Sequence, residues 1–198
     1  MSNKVNEKIR DEKRLISLLK QGQEEGFRLL VRHYQTRLLK IAYGITLDRE
    51  ESLDIVQEVF LKVHRNIGHF REASKLSTWL HRITVNQCLN WRRRWKRRFR
   101  WHHESIDQEG QGDHRALGTD DYDPETVYQN REMRETLWRA LRELPEEARA
   151  VFVMRELEGL SYDEIAKVLK IKKGTVSSRL FHARKRLRQG LKPYLEQG

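Results

Sequence analysis

The chain has 198 residues, 37% hydrophobic and 35% charged, with a formal net charge of +11. That apolar share is thin for one large core and adequate for two small helical bundles, and the positive surplus points to a polyanionic partner: DNA, RNA, an acidic protein or an anionic membrane surface. The single cysteine, Cys88, excludes an intramolecular disulfide and a cysteine zinc cluster.

Met1 to Arg14 is polar and charged with no apolar leader segment, and no apolar run approaches the ~20 residues of a membrane span. A cytoplasmic protein without membrane insertion is therefore expected. From Leu15 to Ile45 apolar residues recur at helical spacing: Leu15, Leu18 and Leu19, then Phe27, Leu30, Val31, Tyr34, Leu38 and Ile41. Gly22 and Gly26 are expected to divide this stretch into a short helix and a longer one. A helix from about Glu51 to Asn66 carries Val56, Val59, Phe60 and Val63 on one face, with Asp54, Gln57 and Glu58 along the opposite edge. A polar loop, Gly68 to Ser77, leads into a helix starting near Thr78. That helix bears Trp79, Leu80, Ile83 and Cys88, whose thiol is expected to be buried, and turns intensely basic from Arg92.

Between His102 and Glu125 the composition changes. Glu104, Asp107, Glu109, Asp113, Asp120, Asp121, Asp123 and Glu125 make an acidic, hydrophobe-poor stretch that reads as a flexible interdomain linker. A helix is then predicted from about Pro124 to Leu144, and Pro145-Glu146-Glu147 restarts helix, with Pro suited to the first helical position and acids to the positive helix end. The fold expected is all-α: two small helical domains, 1–100 and 127–193, joined by the acidic linker 101–126.

Ser161-Tyr162-Asp163-Glu164 has the pattern of a capping box, in which the Ser hydroxyl and the Glu side chain satisfy free amides at a helix start. Ile165, Val168 and Leu169 supply that helix's buried face, Ile171 falls in a turn, and Gly174-Thr175 opens a second helix lined by Val176, Leu180, Ala183 and Leu187. Its other face holds Ser177, Ser178, Arg179, His182, Arg184, Lys185 and Arg188. A short helix, a tight turn and a basic helix with small hydroxyl residues near its start form the shape that enters a major groove. A plain helical hairpin with a solvated basic face would explain the charge but not the box, turn and Ser/Arg start together. Ser177, Ser178, Arg179 and His182 are candidates for base edges; Lys172, Lys173, Thr175 and Arg184 are candidates for phosphates.

In the segment Trp91 to Trp101, Trp91, Trp95 and Phe99 fall at four-residue steps and are flanked by Arg and Lys. Such a surface can follow a phosphate backbone while its rings pack on the core or stack on bases. A membrane-surface helix would need aliphatic residues that this face lacks.

Asp54-Ile55-Val56-Gln57-Glu58-Val59-Phe60-Leu61-Lys62-Val63 closely resembles the region 2.2 motif of sigma-70 family factors, the bacterial RNA polymerase promoter-specificity subunits. Ser77-Thr78-Trp79-Leu80-His81-Arg82-Ile83-Thr84-Val85-Asn86 is similar to the region 2.3–2.4 pattern. Leu144-Pro145 through Arg188, including Glu158-Gly159-Leu160-Ser161-Tyr162 and Gly174-Thr175-Val176, resembles region 4. Two domains with a short linker are similar to the extracytoplasmic-function (ECF) group. The resemblance implies that Asp54, Gln57, Glu58 and Leu61 meet the clamp of core RNA polymerase. It implies that Arg71, Ser74, Lys75, Ser77, Trp79, Asn86, Asn90, Arg93 and Arg94 open and hold the minus-10 promoter element. Region 4 would read the minus-35 element as duplex, and an anti-sigma factor is an expected further partner. The basic-aromatic run through Trp101 is heavier than the family pattern, and Leu47 to Leu53 lacks its acidic-alanine lead-in.

No phosphate-binding P-loop, metal-ligand spacing or acid/base pair stands out, so no metal, cofactor, small-molecule substrate or enzymatic activity is expected. A free-standing helix-turn-helix regulator would explain only Ser161–Arg188. An RNA-binding antitermination protein using Trp91–Trp101 would leave the helix-turn-helix idle.

Overall fold

The computed structural model describes residues 2–99 and 135–192, with side chains over 11–94 and 135–192. Helices α1 (Ser2–Lys20), α2 (Glu24–Thr46), α3 (Arg49–Asn66) and α4 (Leu76–Phe99) form the amino-terminal module, with a 3-10 turn at Ile67–His69. Residues 135–142 (α5), then α6 (Glu146–Glu156), α7 (Tyr162–Leu169) and α8 (Lys173–Gly190), form the carboxy-terminal module. The acidic stretch, the first part of the helix predicted over 124–144 (whose described part is α5, ending at 142), residues 100 and 101, and the side chains of Trp95 and Phe99 lie outside the described residues.

Two expectations about α1 and α2 change. The break falls at Gly22 (φ +68°), and Gly26 lies inside α2. A Cβ on Gly26 would sit 2.9 Å from the Leu18 Cβ and from the Leu19 amide nitrogen, so this glycine lets α2 press onto α1. The first helix is also not short: it runs back to Ser2, through the charged segment. Leu47 ends α2 in left-handed backbone (φ 60°), and Asp48 caps α3, its carboxylate accepting from the Glu51 amide at 3.0 Å. The Thr46 and Ser52 hydroxyls lie 2.9 Å apart behind this corner, giving its buried polar atoms partners.

Helix α4 starts at Leu76, two residues before expected, because α1 supplies the cap: Glu12 accepts from the Leu76 amide at 2.7 Å. Pro145 stands at the N-cap of α6, one position ahead of the first helical residue, with extended ψ (141°). Ser161 caps α7 with both arms of the box present. Lys170 then turns left-handed (φ 54°) to end α7, and α8 begins at Lys173.

The two modules touch. α2 packs on α6, and α4 packs on α7 and α6. One apolar cluster runs from Leu19, Leu38, Val59 and Leu80 of the first module into Val153, Met154, Leu160 and Ile165 of the second. A smaller cluster gathers Leu141, Leu144, Ala183 and Leu187, with Leu47 against it. Tyr43 meets Trp138 edge-on, ring centroids 4.7 Å apart.

Candidate functional site

Helix α3 presents the expected acidic edge. Asp54, Gln57 and Leu61 are exposed, and Glu58 is half-buried; at helical spacing all four share one face. Leu53 and Leu61, 39% and 50% exposed, flank Gln57 at four-residue steps and add an apolar component that the charge pattern did not reveal. Burial, the neighbouring carboxylates of Asp48, Asp54 and Glu50, and an opposing effect from Arg94 leave the Glu51 carboxyl above its ordinary range. This edge is therefore crowded with negative charge and suits a basic partner.

Across from it, α4 carries Asn86, Asn90, Arg93 and Arg94, all exposed. Between the two helices lies a groove of about 960 Å³, lined on one wall by Glu51, Asp54 and Glu58 and on the other by Asn90, Arg93 and Arg94. Two residue sets with separate expected partners thus share one cleft with an acidic and a basic wall. Cys88, on the buried side of α4, is 1% exposed, and burial pushes its thiol up to about 12.

Arg71, Ser74 and Lys75 are exposed in the loop before α4. α1 braces this loop from behind, through the Glu12 cap and through Lys20, whose Nζ is 2.7 Å from Glu72. Ser77 and Trp79 are half-buried, and the Trp79 ring lies against Phe70, centroids 5.1 Å apart. Trp79 is thereby partly committed to packing. Trp91 is likewise half-buried.

On α8, Val176, Leu180, Ala183 and Leu187 are buried, which turns Ser177, Ser178 and His182 outward and leaves Arg179 half-buried. Lys172 and Lys173 are exposed at the helix start, Lys173 2.9 Å from Asp163, while Thr175 is half-buried. The α8 start gathers hydroxyls and cations at one exposed end, the arrangement a phosphate-lined groove requires. Arg184 is held elsewhere: its Nε and Nη2 donate to Glu156 at 3.0 and 2.6 Å, and that bond raises its pKa. It braces α8 on α6. Phe181, 64% exposed, sits edge-on to His182 on the outer surface of α8.

Sequence reasoning missed the polar contacts between modules. Glu158, with a side chain only 4% exposed, accepts from Arg37 Nε of α2 and lies 3.3 Å from His81 Nε2 of α4. Arg92, further along α4, donates to Glu146 at the start of α6 at 3.1 Å. His81 is 2% exposed, and neither ring nitrogen has a hydrogen bond; burial, then the Arg37 charge, brings its pKa down to about 4. The unusual signal available was a charged residue in the turn ahead of the capping box, but nothing local tells that its partners lie on α2 and α4.

Family models described as Sigma-70 region 2 and Sigma-70, region 4 match residues 30–98 and 134–187. The RNA polymerase sigma-H factor of Pseudomonas aeruginosa is 35% identical, covering 94% of this chain and 96% of its own. The ECF RNA polymerase sigma-E factor of Haemophilus influenzae is 36% identical, over 91% and 95%. A solved complex of the sigma factor RpoE with the anti-sigma factor NepR, from Bartonella quintana, is similar in fold. Its TM-score is 0.65 at 22% identity, over 84% of this chain and 96% of that one.

Proposed function

The chain belongs to the extracytoplasmic-function group of the sigma-70 family, and from that premise we propose that it directs RNA polymerase to promoters with two DNA-binding modules. It binds core polymerase, reads the minus-35 element as duplex and the minus-10 element as it melts. It is a transcription initiation factor, and the chemistry of RNA synthesis belongs to the polymerase. The observation that carries this reading is the pair of family models in order along the chain, with relatives above 30% identity that match it nearly end to end.

Asp54, Gln57, Glu58 and Leu61 form the polymerase-facing stripe, supported by their shared face on α3, where Glu58 is half-buried and the other three are exposed. Arg71, Ser74, Lys75, Asn86, Asn90, Arg93 and Arg94 hold the melted strand, with cations for the freed backbone and amides for unstacked bases. Ser77 and Trp79 shape the start of that surface. Ser177, Ser178, Arg179 and His182 read bases in the minus-35 major groove, with Lys172, Lys173 and Thr175 on phosphates. Arg184 acts on phosphate only by leaving Glu156. Residues 101–126 connect the modules, and the domains span 1–100 and 127–193. The place of action is the cytoplasm; among the described residues no helix is long and apolar enough to cross a membrane. An anti-sigma factor is the expected regulator, as the solved relative was captured with one.

Transcript start-site mapping with purified chain and core polymerase tests the reading, because it returns both spaced elements at once. A chain that binds duplex DNA yet never associates with core would defeat it. Charge reversal at Asp54 and Glu58 together is expected to weaken core association at least tenfold in a gel-shift titration, with helicity unchanged by circular dichroism.

A further inference from the structure

The loop between the 3-10 turn and α4 has little backbone order of its own. Residues 71–75 lie outside any helix, and their amides donate to no backbone carbonyl among the described residues. Glu72 sits in left-handed backbone (φ 56°), a conformation that a Cβ disfavours and that persists only where the surroundings hold it. Local structure therefore does not fix the shape of a segment that carries Arg71, Ser74 and Lys75, three of the residues read above as holding the melted strand.

What fixes it comes from α1. Lys20 Nζ lies 2.7 Å from the Glu72 carboxylate, and the Glu12 carboxylate accepts from the Leu76 amide, the first of α4, at 2.7 Å. These contacts take hold of the two ends of the loop. Their α1 partners stand eight residues apart on one rigid helix, about 12 Å along its axis. α1 is itself immobilised: Leu15, Ile16 and Leu19 are buried, Gly26 brings α2 against Leu18 and Leu19, and α1 packs on the 3-10 turn. Phe70 and Leu76, both buried, anchor the chain on either side of the loop.

The exposure of these groups separates a folding role from a positioning one. The Lys20 and Glu72 side chains are 35% and 46% exposed, and a pair so placed adds little to global stability. The same small energy is enough to select among conformers of a short loop, because those conformers differ only locally.

We propose that α1 is the template of the minus-10 loop: Glu12 and Lys20 are positioning residues that set the shape of residues 71–75, and Lys20, acting through Glu72, thereby governs how firmly the melted strand is held. The first clause stands on the contacts alone; the second rests on the functional reading above. Lys20 is also a cation beside a nucleic-acid surface, so its rival role is a direct bond to phosphate. The two roles differ in their coupling to Glu72 and in their salt dependence.

Hydrogen–deuterium exchange of the full chain tests the first clause. In Glu12→Ala the amides over 71–79 are expected to exchange about fivefold faster, the weight of one helix cap, and in Lys20→Ala about twofold faster. Glu12→Gln, which keeps a carbonyl acceptor for the Leu76 amide, should restore most of the protection. Amides of α2 and α3 should be unchanged in every variant. Exchange over 71–79 as slow as in the wild type, in either alanine variant, would overturn the template. Should Glu12→Ala loosen α2 and α3 as well, Lys20→Ala decides alone.

The second clause is tested on the holoenzyme, the chain assembled on core polymerase, with a mapped promoter whose minus-10 element is held open by mismatches. Lys20→Ala and Glu72→Ala are each expected to weaken retention of this template about two- to fivefold, and the double variant no further than either alone. The slope of log affinity against log salt should match the wild type, whereas losing a contact to single-strand phosphate lowers it by about 0.7. Binding of a duplex carrying only the minus-35 element should not change, which a general loss of folding would alter. Effects that multiply in the double variant, or a slope lowered by that amount in Lys20→Ala, would overturn the positioning role. If the wild-type holoenzyme fails to hold the open template, the minus-10 reading and the second clause fall together, while exchange still decides the first.

Discussion

At Ser161 two hydrogen bonds govern how the helix-turn-helix begins. The Glu164 amide donates to the Ser161 hydroxyl at 3.2 Å, and the Ser161 amide donates to the Glu164 carboxylate at 2.8 Å. Replacing Ser161 with Ala is expected to lower stability by about 1 kcal/mol, measured as a fall in denaturant midpoint at unchanged slope. The Ser161 backbone bond, then its hydroxyl, hold the Glu164 carboxyl below its ordinary pKa. A depressed carboxyl contributes stability that is present above its unfolded pKa and lost as pH falls through the folded one. The melting difference between wild type and Glu164→Ala should accordingly be full at pH 7 and vanish in acid; a gap independent of pH would refute the assignment. Further along, Arg179 and Arg184 separate by environment. Arg179→Ala is expected to reduce minus-35-dependent transcription about tenfold, the weight of one good base contact. Arg184→Ala, which releases an exposed pair with Glu156, should cost under about 1 kcal/mol of stability and less activity in the same assay. Equal losses of transcription from the two would move base reading down the helix.

Helical periodicity made the elements legible, because each buries one stripe whose residues are close in sequence: Val56, Val59 and Val63 on α3, and Val176, Leu180, Ala183 and Leu187 on α8. The box at Ser161 was equally readable, since both its partners lie within four residues. Boundaries set by distant groups were not. The α4 start depends on Glu12, 64 positions away, and the role of Gly26 depends on the Leu18 backbone it approaches. The same limit applies to Glu158, Arg37 and His81, whose convergence no local pattern encodes. Gly44 shows how two scales conflict in one residue. In mid-helix it costs α2 roughly 0.5–1 kcal/mol relative to Ala, yet a Cβ there would press on Val153. Gly44→Ala is therefore expected to leave α2 at least as helical while expanding the full chain in small-angle scattering, and Gly44→Ala with Val153→Ala should return it to compact dimensions. Compact single and double variants alike would show that the seam between the modules has slack.

For the molecule as a whole, a shared apolar cluster means that neither module buries its surface alone. Leu38 and Leu80 belong to the same core as Met154 and Ile165. Calorimetry of the wild type is expected to show one transition, since the modules stabilise each other through that core. Arg37→Ser should split or broaden it as coupling weakens; two separate transitions in the wild type would mean that the seam contributes little. The Cys88 thiol adds one more property. Its sulfur is sealed in the amino-terminal module and held protonated to about pH 12, so at neutral pH it presents almost no thiolate to an alkylating dye. Cysteines placed on the surface of either module can then be labelled without removing the native one. The native sulfur, in turn, becomes a built-in clock: it reacts only as fast as α4 lifts from its bundle.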